Sequence, residues 1–225
     1  MIQQASLKIE NTPVTLRELA LEKVRQAIIA GYFQAGDRLV ERSLCDSLGV
    51  SRSVVREVIR YLEAEGLIEI LPKKGPIVAI LTWDVAEQIY NIRLLLEQSA
   101  AHDCALNASK QDKKILHDKL MAINQASAEQ DDIKRVAASQ AFYETIFQVA
   151  KHAIAWEIVQ RLNSRISRLR ALTLKSPERQ LAGFERMTRI YHAIEQGDGQ
   201  LAKQEVLEHL TEASALAKRI LQQES

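Results

Sequence analysis

Leu39 to Leu81 reads LVERSLCDSLGVSRSVVREVIRYLEAEGLIEILPKKGPIVAIL, and its punctuation decides the fold. The spacing predicts a short helix over Glu41–Leu48 with Leu44 and Leu48 on one face. Gly49 ends it, because a residue without Cβ takes the left-handed conformation past a helix end at no steric cost. Val50 turns inward, and Ser51 is the N-cap of a second helix from Arg52 to about Glu65. Val55, Ile59 and Leu62 recur along the core side of that helix. Arg52, Arg56 and Arg60 recur along the other side, with Ser53 beside the helix N-terminus. Gly66 stops the helix, and Leu67–Leu71 and Ile77–Leu81 read as two strands around Pro72-Lys73-Lys74-Gly75-Pro76.

Helix, tight turn, helix and basic hairpin are the parts of a winged helix-turn-helix. A recognition helix offers its N-terminal residues to base edges in the major groove, and guanidinium can donate two bonds to guanine or clamp a phosphate. Lys73 and Lys74 fall where a hairpin tip would follow the phosphate backbone, and Gly75 permits close approach. Three arginines on an arbitrary helix mostly decorate a solvated face. The helix before them, the glycine turn and the wing after them reverse that reading.

From Thr15 to Leu81 the chain resembles the winged-helix bacterial transcription factors of the GntR family. The resemblance is carried by Gly49-Val50-Ser51-Arg52-Ser53-Val54-Val55-Arg56-Glu57 and Leu62-Glu63-Ala64-Glu65-Gly66-Leu67, with Gly31 and Gly36-Asp37-Arg38-Leu39 as lead-in. The family's usual Thr-Pro is replaced by Ser53-Val54, which keeps the hydroxyl and loses the proline. The resemblance implies Arg42 at the DNA backbone, Arg52, Ser53 and Arg56 at the groove and Gly75 at the wing tip. With the cap and the basic tip, the expected DNA-binding set is Arg42, Ser51, Arg52, Ser53, Arg56, Lys73, Lys74 and Gly75.

The 225 residues are enough for two modest domains, and 47% hydrophobic with 26% charged residues is ordinary globular composition. Residues 1–81 hold 11 Lys and Arg against 10 Asp and Glu, a net charge of +1 that equals that of the whole chain. Attraction to DNA must therefore come from local sorting, with acids kept off the groove face. Cys45 and Cys104 lie in predicted helices of different domains without ligand spacing, so both are expected to be buried small hydrophobes. The first residues lack a basic segment followed by an apolar one, and no run of 18 apolar residues occurs, so the expectation is a soluble, cytoplasmic protein without a membrane partner.

Residues 1–14 are polar and unpatterned and are expected to form an arm. Thr15–Ala30 places Leu16, Ala20, Val24, Ala27 and Ile28 on one face and stops at Gly31, a first helix beneath the helix-turn-helix. Thr82 is expected to cap a long helix that opens the second domain. Five more helices follow from their punctuation: Ser109 to about Gln130, Asp131–Lys151, about Ala153 to Lys175, Pro177–Gln196 after Ser176, and Asp198–Gln222 after Gly197. The expected fold is mainly α, with a DNA-binding domain over 1–81 and an all-α bundle of about six helices over 82–225. Ile89, Ile92, Leu94, Leu95 and Leu96 spread over more than one side of the first bundle helix, which is then either central or also at a subunit interface.

The bundle resembles the FCD effector domain carried by one branch of the same family, through Arg93-Leu94-Leu95-Leu96-Glu97, Ala100-Ala101 and Ala193-Ile194-Glu195-Gln196-Gly197-Asp198. This resemblance implies a homodimer, a pseudo-palindromic operator and, commonly, a small organic acid effector; a repressor is the expected mode, although the sequence does not decide between repression and activation. It also implies a metal site of one aspartate and three histidines. Aligned through Phe142 and through Gly197-Asp198, those positions hold Ser139, Tyr143, Met187 and His209. Serine and tyrosine are neutral near pH 7 and a thioether is a poor ligand for zinc or manganese, so no metal and no other cofactor is expected. His192 is a weak substitute for Met187, because five residues turn a helical side chain well away. The same side chains with Arg93 make the expected effector set: Arg93, Ser139, Tyr143, Met187 and His209.

Two other readings are open. The helical domain serves dimerisation alone, or it is a metal-dependent helical enzyme. The enzyme reading needs Glu-x-x-His pairs or a His-Glu-x-x-His run; neither occurs, and His102, His117, His152, His192 and His209 are scattered singly.

Overall fold

The computed structural model describes residues 15–129, 131–175 and 177–224. Among them the chain divides after Ile80 into two compact units. The expected N-terminal arm and the cap at Ser176 lie outside the described residues.

In the first unit α1 (Leu16–Ile29) starts at a capping box, in which Thr15 and Glu18 each bond the other's backbone amide. Its buried residues are Ala20, Val24 and Ile28. Leu16, expected on the same face, is 67% exposed. Helix α2 (Glu41–Leu48) has the predicted bounds, and Gly49 closes it at φ 66° with its amide donating to the Cys45 carbonyl. Helix α3 (Arg52–Ala64) is capped by the Ser51 hydroxyl, which accepts from the Val54 amide. A proline at 54 would have no such proton, so Val54 feeds the cap. Val55, Val58, Ile59 and Leu62 of α3 close over Ala20, Val24 and Ile28, and Leu44 completes that core. Cys45 is only half-buried, in contrast to Cys104.

Strands β1 (Ile68–Leu71) and β2 (Gly75–Val78) pair antiparallel, Ile68 with Val78 and Leu71 with Gly75. The second strand thus starts two residues earlier than expected, and the turn shrinks to Pro72-Lys73-Lys74. The cause is a third segment on the far edge of β2. The Gly36 amide donates to the Val78 carbonyl, the Val78 amide to the Asp37 carbonyl and the Leu39 amide to the Pro76 carbonyl, each at 2.9 Å. Pro76 sits in the strand because its carbonyl serves this edge.

The second unit holds α4 (Trp83–Asn107), α5 (Lys110–Ala128), α6 (Asp132–Val149), α7 (Ala153–Arg165), α8 (Ser167–Lys175), α9 (Pro177–Gln196) and α10 (Gly199–Glu224). Thr82 occupies the N-cap position of α4 but makes no side-chain cap bond. The expected single helix from Ala153 to Lys175 breaks at Ile166, which has φ −105° and ψ 16°. The break serves two cores. Trp156 and Val159 pack into the main cluster with Phe142, Phe147 and Ile190, whereas Ile166 and Leu169 pack with Ile89, Tyr90 and Ala217. Helix α4 lies centrally, along α10 and against α6, α7 and α9. Ile92 and Leu95 nevertheless face outward, at 43% and 70% exposure.

Candidate functional site

The first candidate surface belongs to α2, α3 and the wing. Arg42, Ser51, Arg52, Ser53, Arg56, Lys73 and Lys74 are all exposed, and Gly75 is half-buried at the first position of β2. Lys73 holds φ 67° at the turn, and Gly75 φ 77°. The α3 N-terminus carries no acid in its first turn, so its orphan amides and dipole are open to an anion. The Ser51 and Ser53 hydroxyls lie 2.8 Å apart and bond each other. Arg56 is tied through Nε to both carboxylate oxygens of Glu41, at 3.1 and 3.0 Å, which links α3 to the start of α2.

The near-neutral charge is sorted by α1. Arg25 holds Glu65 through Nε and Nη2 and also bonds Glu22, while Arg17 lies 3.7 Å from Glu57 and over the Tyr61 ring. The acidic row of α3 is thereby paired on the side where α1 packs. Arg52 and Arg60 stand one helical face away. Bonds from Glu65 hold the Arg25 guanidinium above its ordinary pKa, against the opposing effect of burial.

The second candidate is a cavity inside the helical unit. It is lined by Tyr90 and Arg93 of α4, Ser139 and Tyr143 of α6, Arg170 and Thr173 of α8, and His209, Leu210 and Ala213 of α10. The space open to the centre of a water molecule is about 30 Å³, room for about two waters. Four of the five side chains anticipated for an effector therefore share one cavity. Met187 is buried behind it, its sulfur accepting from the Ser139 hydroxyl at 3.8 Å. Tyr90, Arg170 and Thr173 went unforeseen, since nothing in their local sequence says which way they face.

Arg93 and Glu97 form a buried ion pair one turn apart, with Nε to Oε1 at 2.7 Å and side-chain exposures of 6% and 1%. Among the described residues that is the guanidinium's hydrogen bond, so its Nη groups are left to the cavity that Arg93 lines. Burial opposes the charge, but the charge and hydrogen bond of the Glu97 carboxylate oppose that in turn, and the Arg93 pKa stays above its ordinary value. The cavity's cation is thus permanently charged.

A hydroxyl, a phenol, a thioether and one imidazole occupy the positions where the resemblance implies metal ligands, and this donor set does not fit a divalent ion. Among the described residues no group of three or more His, Cys, Asp and Glu side chains converges to hold a metal. His192 does not substitute, being 57% exposed and bonded to Glu195. His102 and His152 are not isolated, because Asp103 bonds His102 Nδ1 at 2.8 Å and His152 Nε2 at 3.0 Å.

A winged helix-turn-helix and an all-helical bundle with a polar cavity, in one chain, define a DNA-binding regulator. Residues 16–78 match the bacterial regulatory proteins of the gntR family and residues 88–212 match the FCD domain. The chain belongs to the GntR family, in the branch with the FCD domain, and is a DNA-binding transcriptional regulator rather than an enzyme. It is 27% identical over 202 residues to the uncharacterized HTH-type transcriptional regulator YdhC of Bacillus subtilis (strain 168), spanning 89% of this chain and 90% of that one. It is 26% identical over 208 residues to the HTH-type transcriptional repressor RspR of Escherichia coli (strain K12), spanning 90% and 89%. The solved structure of E. coli McbR/YncC shares the fold at a TM-score of 0.76 and 20% identity, over 92% of this chain and 99% of that one. No helix of the described residues is long and apolar enough to cross a membrane.

Proposed function

We propose that this regulator is a cytoplasmic repressor that binds a pseudo-palindromic operator as a homodimer and is controlled by a small organic acid held, without a metal ion, in the cavity between α4, α6, α8 and α10. Residues 1–81 are the DNA-binding domain and residues 82–225 the effector-binding and dimerisation domain. The observation that carries the effector reading is Arg93, a buried cation whose Nη groups are left for a carboxylate. Ser139, Tyr143 and His209 border the same space and can orient the ligand's polar groups, with Met187 supporting Ser139. Exposed Ile92 and Leu95 on α4 support the dimer, which would match two half-sites of an operator. Repression is proposed from the similarity to the transcriptional repressor RspR.

A second reading has the helical domain dimerise without any effector, and the small volume of the cavity favours it. Thermal melting of the full chain against a panel of mono-, di- and hydroxycarboxylates separates the two. A bound acid at 100 times its dissociation constant adds about 2.7 kcal/mol, and the shift should vanish in Arg93→Gln. No shift with any carboxylate favours the dimerisation unit. Near-stoichiometric zinc, manganese or nickel in protein purified without chelator or affinity tag, lost on His209→Ala, overturns the metal-free site.

A further inference from the structure

Arg56 differs from the other cations of the groove-facing surface. Arg42, Arg52, Arg60, Lys73 and Lys74 are exposed, and among the described residues they have no ion-pair partner, whereas Arg56 is held by Glu41. The contact is made by Nε alone, to both carboxylate oxygens. It leaves Nη1 and Nη2, the end-on fork of the guanidinium, without a hydrogen bond to Glu41. That fork can donate two parallel bonds to the O6 and N7 of a guanine.

We propose that Glu41 is a positioning residue for DNA readout: by anchoring Nε it points the Nη fork of Arg56 at base edges in the major groove. The inference rests on the reading of the α3 arginines as the groove face. At 63% exposure the Arg56 side chain would otherwise sample many rotamers and lose them on binding. The tether removes part of that loss beforehand, the general advantage of preorganisation. Glu41 acts a second way. A carboxylate on a surface that approaches phosphates is repelled by any duplex, so it weakens binding to arbitrary DNA and is offset only where the freed fork finds its base. A purely structural role fits poorly, because an ion pair this exposed adds little to folding. Glu41 also sits in the first turn of α2, where a helix dipole favours an acid, but that role needs no partner on α3.

The test is selection of duplexes from a random-sequence pool by the full-length protein, with base preference read at each position. Four proteins are compared: the natural chain, Arg56→Ala, Glu41→Gln and the double variant. Arg56→Ala should lose its preference at one position in each half-site. Glu41→Gln should lose discrimination at that same position, by up to about fivefold, the ceiling that an exposed ion pair sets. It should keep the other preferences and bind random duplex at least as tightly as the natural chain. In the Arg56→Ala background Glu41→Gln should change nothing further at that position. An unchanged preference in Glu41→Gln, while Arg56→Ala loses its own, overturns the positioning role and leaves the groove reading standing. Even loss at every position with a lowered melting temperature also overturns it, as a folding effect. Retention of every preference by Arg56→Ala overturns the groove reading itself.

Discussion

Replacing Arg93 by methionine separates what the buried ion pair does for folding from what it does for a ligand. Arg93 is 6% exposed and Glu97 1% exposed, so methionine would keep most of the packing but leave the Glu97 carboxylate buried without its counter-charge. One Glu97 oxygen already has no hydrogen-bond partner, and the substitution would orphan the other as well. Breaking a buried pair from one side costs about 3–5 kcal/mol. Loss of the guanidinium 5.5 Å above the Tyr90 ring adds to this, by about 1 kcal/mol. In a unit of this size each kcal/mol lowers the melting temperature by roughly 2–4 °C, so the helical unit should melt roughly 8–24 °C earlier. Replacing both partners by methionine removes the stranded charge and should recover most of that loss. The double variant should still fail to respond to any carboxylate that stabilises the natural protein. Calorimetry of the three variants, Arg93→Met, Glu97→Met and the double, closes the cycle. A double variant as unstable as the sum of the singles would refute the coupling, and a carboxylate response that survives in it would refute Arg93 as the ligand's partner.

Three further outcomes follow from named residues. Arg52→Ala and Arg56→Ala should each weaken operator binding by about 1–3 kcal/mol, whereas Lys73→Ala should weaken all sequences alike and reduce the salt slope by about one; titrations at several salt concentrations distinguish them. Leu95→Asp places a charge on the most exposed large apolar residue of α4 and should convert the proposed dimer to monomer in sedimentation, while an unchanged dimer would move the interface elsewhere. Gly199→Ala would bring a Cβ within 2.8 Å of His102 Cδ2 and 3.0 Å of the His102 carbonyl oxygen, so the α4–α10 contact must shift. The expected loss is about 1–3 kcal/mol in melting experiments.

The winged unit was legible because its signals are local. Gly49 past a helix end, Ser51 before one and apolar residues at helical spacing each act within a turn of the chain, and α2 has the predicted bounds. The arginine row follows from the same periodicity, whereas the pairing of Arg93 with Glu97 was not anticipated. The register of the wing was not legible, because it is set by pairing with Asp37–Leu39, some forty residues earlier, as well as by its own turn. The break at Ile166 escaped for a related reason: the residues on either side of it are good helix material, and only the existence of two separate cores makes one straight helix unfavourable.

The sequence by itself determined the winged helix-turn-helix and the helical class of the second unit, since caps and periodicity are properties of short stretches. Only the tertiary structure decided that Tyr90, Arg170 and Thr173 join Arg93, Ser139, Tyr143 and His209 around one cavity. It alone paired Glu41 with Arg56 and set Asp103 between His102 and His152. Helical spacing says which residues share a face, but the direction that face points is fixed by the packing of helices from distant parts of the chain.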